Sequence, residues 1–143
     1  DLTHVSVTQE LPHHDGSEMT LARKAVPKGV MIYRVFGALF FGAADKLETI
    51  LRQQQNEPDV LILKMDEVIS MDASALHTLA SMQRKLRKNG KYLVLCGAHT
   101  QPYFMMHQAG FFDEMGSDNI TTDLDSALRR ATKLLEEKKL AQE

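Results

Sequence analysis

The chain has 143 residues, 43% hydrophobic and 25% charged, with 17 Lys and Arg against 19 Asp and Glu for a formal charge of −2. That is enough chain for one core, too apolar for disorder by default, and without the basic excess of a nucleic-acid binder. One cysteine excludes an internal disulfide framework and a multi-cysteine zinc site, and the longest apolar run, Ala38–Ala44, is far short of the roughly 20 residues that cross a bilayer.

Residues 1–18 mix His4, Pro12, His13, His14 and Gly16 with few large apolar side chains. They read as a linker or arm, with a short strand in Leu2–Thr8. The chain opens on Asp1 rather than Met, so the arm is expected to follow a longer N-terminal part. Residues 19–143 then form one domain. Met19–Val26 reads as an edge strand, and Pro27-Lys28-Gly29 as a turn, since Pro fixes φ and Gly permits φ > 0.

Val30–Phe36 is apolar on both faces, as a central strand is. Leu47, Ile50 and Leu51 have helical spacing, which predicts a helix over 43–55, ended by Asn56-Glu57-Pro58. Val60–Met65 is a second buried strand. Asp72 is an N-cap candidate for a helix carrying the stripe Leu76, Leu79, Ala80 and Leu86, with bases in its last turns and Asn89-Gly90 as its stop. Tyr92–Cys96 is a third strand, and 101–109 a short helix with Thr100 as its cap. Ser117–Thr121 suggests a short last strand. Leu124, Ala127, Leu128, Ala131, Leu134 and Leu135 define one face of a final helix capped by Thr122 or Asp123, frayed over Glu136–Glu143.

Strands alternating with helices predict an α/β fold, a central mixed but mostly parallel sheet flanked by about four helices. Ligands of such sheets bind beyond the strand C-termini, which directs attention to the loops at Gly37–Gly42, Asp66–Ser74 and Gly97–Thr100.

In the second loop, Ser74 is expected on the second residue of a helix, close to unpaired N–H groups and the positive dipole end. It is a sensible phosphoacceptor or anion contact. Taken alone, though, a capping Asp72 and a small first-turn filler are the commoner reading. Phe40, Phe41 and Gly42 could form an apolar wall beside Met71, Asp72 and Ser74, although paired phenylalanines are more often core plugs. No phosphate-binding GxxxxGK[ST] or GxGxxG pattern is present. Asp66 after an apolar strand suggests a receiver domain, but the preceding strand ends Val35-Phe36-Gly37, without the required acids. Ser74 and His77 on one helix do not make a nucleophile–base–acid line, and Ala73-Ser74-Ala75 is not a nucleophile elbow. Nothing points to catalysis or a metal. Cys96 and the group Met105, Met106, Phe111 and Phe112 read as packing. The bases Arg84, Lys85, Arg87, Lys88 and Lys91 read as a solvated helix end, with anionic lipid or an acidic partner as the sharper alternative.

The run Val26-Pro27-Lys28-Gly29-Val30 through Gly37-Ala38-Leu39-Phe40-Phe41-Gly42-Ala43-Ala44 resembles the start of the STAS domain of bacterial sulfate permease (SulP) transporters. Val60–Met65 followed by Asp72-Ala73-Ser74-Ala75-Leu76 resembles that family's strand and Asp-x-[Ser/Thr]-[Gly/Ala]-Leu helix start. The resemblance covers about 19–137. Its Pro-x-Gly…Leu-Phe-Phe-Gly stretch sets transporter domains apart from soluble anti-sigma factor antagonists. It implies a non-enzymatic regulatory module at the cytoplasmic face of the plasma membrane, C-terminal to a transmembrane domain that moves sulfate or a related anion. Implied partners are that transmembrane domain, protein partners such as acyl carrier protein or a kinase, and a second copy in a homodimer. Neither nucleic acid nor an obligatory cofactor is implied, and weak nucleotide binding is left open. In the antagonist branch the serine matching Ser74 accepts phosphate. Here Ala75 replaces the usual following glycine, and Ala73 replaces a common serine or threonine. The runner-up is a stand-alone anti-sigma factor antagonist switched by serine phosphorylation. A small nucleotide-binding domain ranks third.

Overall fold

The computed structural model describes residues 7–9, 26–39, 41–53 and 57–142. Strand β1 (Val7–Gln9) pairs antiparallel with β2 (Val30–Leu39). Helix α1 (Phe41–Arg52) leads to β3 (Val60–Met71), and α2 (Ala73–Lys88) leads to β4 (Tyr92–Cys96). Helices α3 (Thr100–Gln108) and α4 (Phe111–Met115) follow. A 3-10 turn, β5 (Ile120–Thr121) and α5 (Leu124–Ala141) complete the order. The sheet runs β1-β2-β3-β4-β5, and β2 to β5 are mutually parallel.

The alternating burial of β2, β3 and β4 feeds two cores. Tyr33, Val35, Leu61, Leu63, Leu93 and Leu95 face α1 to α4. Ile32, Val60, Ile62, Val94 and Cys96 face α5, which lays Leu124, Ala127, Leu128, Ala131 and Leu134 against them. Two-sided burial explains why these strands read as continuous apolar runs.

Several expected elements change at their ends. β2 continues through Gly37–Leu39 and β3 through Asp66–Met71, both expected as loops. α1 begins at Phe41 and ends at Arg52, and α5 stays helical to Ala141. α4 is an additional helix, in the stretch read only as packing. Its Phe111, Phe112 and Met115 are indeed buried. At five residues it is too short to show a periodic stripe. Thr121 and Ile120 form the last strand, but Ser117–Asn119 is a 3-10 turn. Apart from Val7–Gln9, the arm lies outside the described residues, as does the strand expected in Met19–Val26 up to Ala25; of the strand expected in Leu2–Thr8, Val7 and Thr8 fall in β1.

Candidate functional site

β3 outruns β4. Lys64 pairs with Cys96, the last residue of β4, and the seven residues from Met65 to Met71 continue with β2 alone on that side. Two register shifts mark this extension. Arg34 pairs with Lys64 but Phe36 with Glu67, and Gly37 pairs with Val68 but Ala38 with Ser70. Each shift inserts one extra residue in β3, as a β-bulge does. Gly37 lies between them at φ +77, a conformation that disfavours a side chain. The result is a β2–β3 ribbon projecting beyond the rest of the sheet.

The free side of β3 is closed by the β4–α3 loop rather than by a strand. The Gln101 side chain accepts from the Met71 N–H (2.8 Å) and donates to the Met71 carbonyl (3.0 Å), as a neighbouring peptide would. His99 Nε2 lies 2.8 Å from the Asp66 carbonyl, so it donates there. Gly97, at φ +78, lets the loop pass close: a Cβ there would lie 3.0 Å from that of Asp66. Thr100 holds φ +51, an uncommon backbone for a residue other than Gly, and its hydroxyl donates to the His99 carbonyl (2.8 Å). Thr100 is therefore not the cap of α3. His99 stands in that place and makes no side-chain cap bond, because its ring is committed to β3.

The ribbon ends where the two candidate segments meet. Leu39 pairs with Met71, and the Asp72 N–H donates to the Leu39 carbonyl (3.2 Å). The starts of α1 and α2 are thus neighbours. Met71 is buried in the larger core, which makes it a floor rather than a contact. Asp72 is exposed and caps α2, its Oδ1 accepting from the Ala75 N–H (2.7 Å). The Leu76 N–H donates to the Asp72 carbonyl (3.1 Å). Ser74 is exposed on the second residue of α2. The N–H groups of Ala73 and Ser74 have no intrahelical acceptor, as in any first turn. Gly42 is exposed in the first turn of α1. Phe40 lies outside the described residues, as does the side chain of Phe41, so the wall expected from them is not described.

Arg34 sits on the ribbon with its guanidinium 4.8 Å from the Phe36 ring centroid and 3.8 Å from Glu67. His77 is exposed and lines a groove of about 300 Å³ with Ala73, Leu76, Ala80, Arg84, Phe111 and Glu114. Arg84 and Glu114 form an ion pair in its lining. Among the described residues no three His, Cys, Asp or Glu side chains are gathered as a metal would need, and no helix is long and apolar enough to cross a membrane. Most of the bases expected at the end of α2 have local acids. Arg84 meets Glu114, Lys85 meets Glu48, and Lys91 meets Asp59.

The clamp residues His99 and Gln101 escaped the sequence reading. A polar side chain after a strand carries no signal of the carbonyl it will reach. The signal available was Gly97 followed by polar residues at a strand C-terminal edge, where loops carry contacts.

Known proteins share this fold. A model of the STAS domain family matches residues 22–127. "Putative sulfate transporter YvdB" of Bacillus subtilis (strain 168) is 32% identical over 108 residues, 75% of this chain. The chain spans about a fifth of that relative's length. The crystal structure of a sulfate transporter family protein from Wolinella succinogenes superposes with a TM-score of 0.73 at 36% identity, covering 80% of this chain and 94% of that one. A SulP transporter STAS domain from Vibrio cholerae gives 0.65 at 25% identity, covering 82% and 92%. Anti-sigma factor antagonists share the fold at 18% identity, a likeness of fold alone. Matched by the family model over most of its length, and by a transporter relative besides, the chain belongs to the STAS domain family.

Proposed function

We propose that this chain is the cytoplasmic regulatory domain of a sulfate-permease-type anion transporter, following its transmembrane part, and that it performs no chemistry of its own. The observation that carries this reading is the 36% identity to the Wolinella succinogenes sulfate transporter family protein across nearly the whole of that chain. The domain acts by contact, with its own transmembrane part as first partner. Other proteins or a second copy are further partners, and no bound cofactor is required.

Ser74 is the proposed point of control. A phosphate there meets the open amides of Ala73 and Ser74 and the helix dipole, which favour it, and the Asp72 carboxylate, which opposes it. The added charge changes which surfaces the α2 start attracts.

Fractionation of native cells tests the reading. A band several times heavier than 16.1 kDa in the membrane fraction supports it. A soluble band near 16.1 kDa overturns it in favour of a stand-alone anti-sigma factor antagonist. If the domain is the transporter's regulator, Ser74→Asp changes anion uptake relative to Ser74→Ala. Equal uptake by both, with no phosphate on Ser74 by mass spectrometry, removes the switch. Titration with labelled ATP or GTP to millimolar concentration measures any nucleotide binding.

A further inference from the structure

The two ends of the sheet differ in charge and in exposed apolar surface. At the strand N-terminal end, the last turns of α2 and α5 and the turns before β2 and β4 gather Lys28, Arg87, Lys88, Lys91, Lys138 and Lys139, with Glu57 and Asp59, which pairs with Lys91 and Lys138, as the nearby acids. At the strand C-terminal end lie exposed Asp66, Glu67, Asp72, Asp123 and Asp125, with Arg34, Lys64 and Arg129 among the nearby bases. Part of this polarity compensates helix dipoles.

Dipole compensation does not explain the apolar side chains among the acids. Ile69 is 55% exposed at the second bulge of β3. Phe104 is 63% exposed, one turn beyond the Gln101 that grips Met71. Ile69 sits on a paired strand and Phe104 on a helix bonded to that strand. An isolated exposed Leu or Ile is ordinary, but two large apolar side chains flanking one acid-rich ribbon match the composition of a contact surface.

From this we infer that the projecting β2–β3 ribbon, with the first two turns of α3, docks on the cytoplasmic loops of the transporter's own membrane part. The inference rests on the function proposed above. Cytoplasmic loops of membrane proteins carry an excess of Lys and Arg, so an acidic edge complements them and the basic opposite end repels them. β1 runs antiparallel to β2, with Val7 opposite Val35 and Gln9 opposite Tyr33, so its N-terminal end points toward the same edge. Ser74 lies at this edge, so its phosphorylation adds negative charge there and strengthens docking on basic loops.

Site-specific cross-linking in native membranes tests this with the full-length protein. Single variants Ile69→Cys, Phe104→Cys and, at the far end, Lys139→Cys are coupled to a short thiol-to-amine cross-linker, and linked peptides are identified by mass spectrometry. All three positions are exposed, so folding is not at risk. The expected result is at least about fivefold more linkage to membrane-part lysines from 69 or 104 than from 139, as a tethered contact gives. The double change Asp66→Lys with Glu67→Lys lowers that linkage by about tenfold, since like charges are then juxtaposed. Linkage from 139 equal to or above that from 69 and 104 overturns the docking face while leaving the transporter reading intact. A soluble band near 16.1 kDa on fractionation overturns both.

Discussion

β3 is one strand with two different halves. From Val60 to Lys64 it is flanked by β2 and β4 and covered by helices on both faces. From Asp66 to Met71 it has β2 on one side and two side chains, His99 and Gln101, on the other. In the first half the backbone is satisfied by ladders, and stability comes from buried area. In the second, the β2 ladder and the buried Val68 and Met71 hold one side, and the open side depends on a few hydrogen bonds from one loop. The domain thus keeps a stiff body and carries its candidate contact surface on a part whose anchoring a few residues control.

Substitutions should separate the two halves. The largest loss is expected from Leu63→Ala, since Leu63 is fully buried in the body. Chemical denaturation should show a loss of about 3 kcal/mol, typical of such a cavity. Gln101→Ala leaves the N–H and carbonyl of buried Met71 without their partner and should cost about 2 kcal/mol. Hydrogen exchange should then quicken at Glu67–Met71 while Leu61–Leu63 stay protected, and uniform quickening of both would mean that the halves are not separable. Asp72→Ala removes the cap of α2 at a cost of about 1 kcal/mol, with Asp72→Asn retaining most of it.

The smallest effect is a pH dependence at the opposite end of the strand. Asp59 just precedes β3, and its Oδ1 accepts from Lys138 (2.9 Å) and Lys91 (3.1 Å). The hydrogen bond from Lys138 first, and then that from Lys91, hold its carboxyl below the usual carboxylate range against the opposing effect of burial. Its stabilising contribution is therefore fully present above the unfolded pKa of about 3.9 and is lost as pH falls through the lower folded value. Asp59→Asn should lower stability at pH 7 and flatten its decline below about pH 4. The carboxylate is over a third exposed, so solvent screening keeps the effect small.

The same division decides what the sequence could disclose. The body was legible because Val60–Met65 and Tyr92–Cys96 are unbroken apolar runs, and the last helix because Leu124 to Leu135 repeat at helical spacing. Asp72 was legible as a cap because caps are local. The extension was not. Its buried positions Met65, Val68 and Met71 recur every third residue, separated by Asp66-Glu67 and Ile69-Ser70. Two bulges produce that interval, which is neither the period of two of a plain strand nor the 3.6 of a helix. Gln101 and His99 were illegible for another reason. Their partners are 30 and 33 residues away, and one sequence does not reveal such pairings. Ser74 was located correctly at an exposed helix start, while Met71 proved to be core.

The order of the strands also has a consequence for synthesis. Because β2, β3, β4 and β5 pair in the order in which they are made, the sheet and its larger core can assemble progressively as the chain leaves the ribosome. The second core cannot. Ile32, Val60, Ile62 and Val94 are all in place before Leu124–Ala141 emerges to cover them. A nascent chain that has emerged from the ribosome only to about residue 122 therefore presents one bare, apolar sheet face. Until the last helix emerges, that face is open to aggregation or to a chaperone.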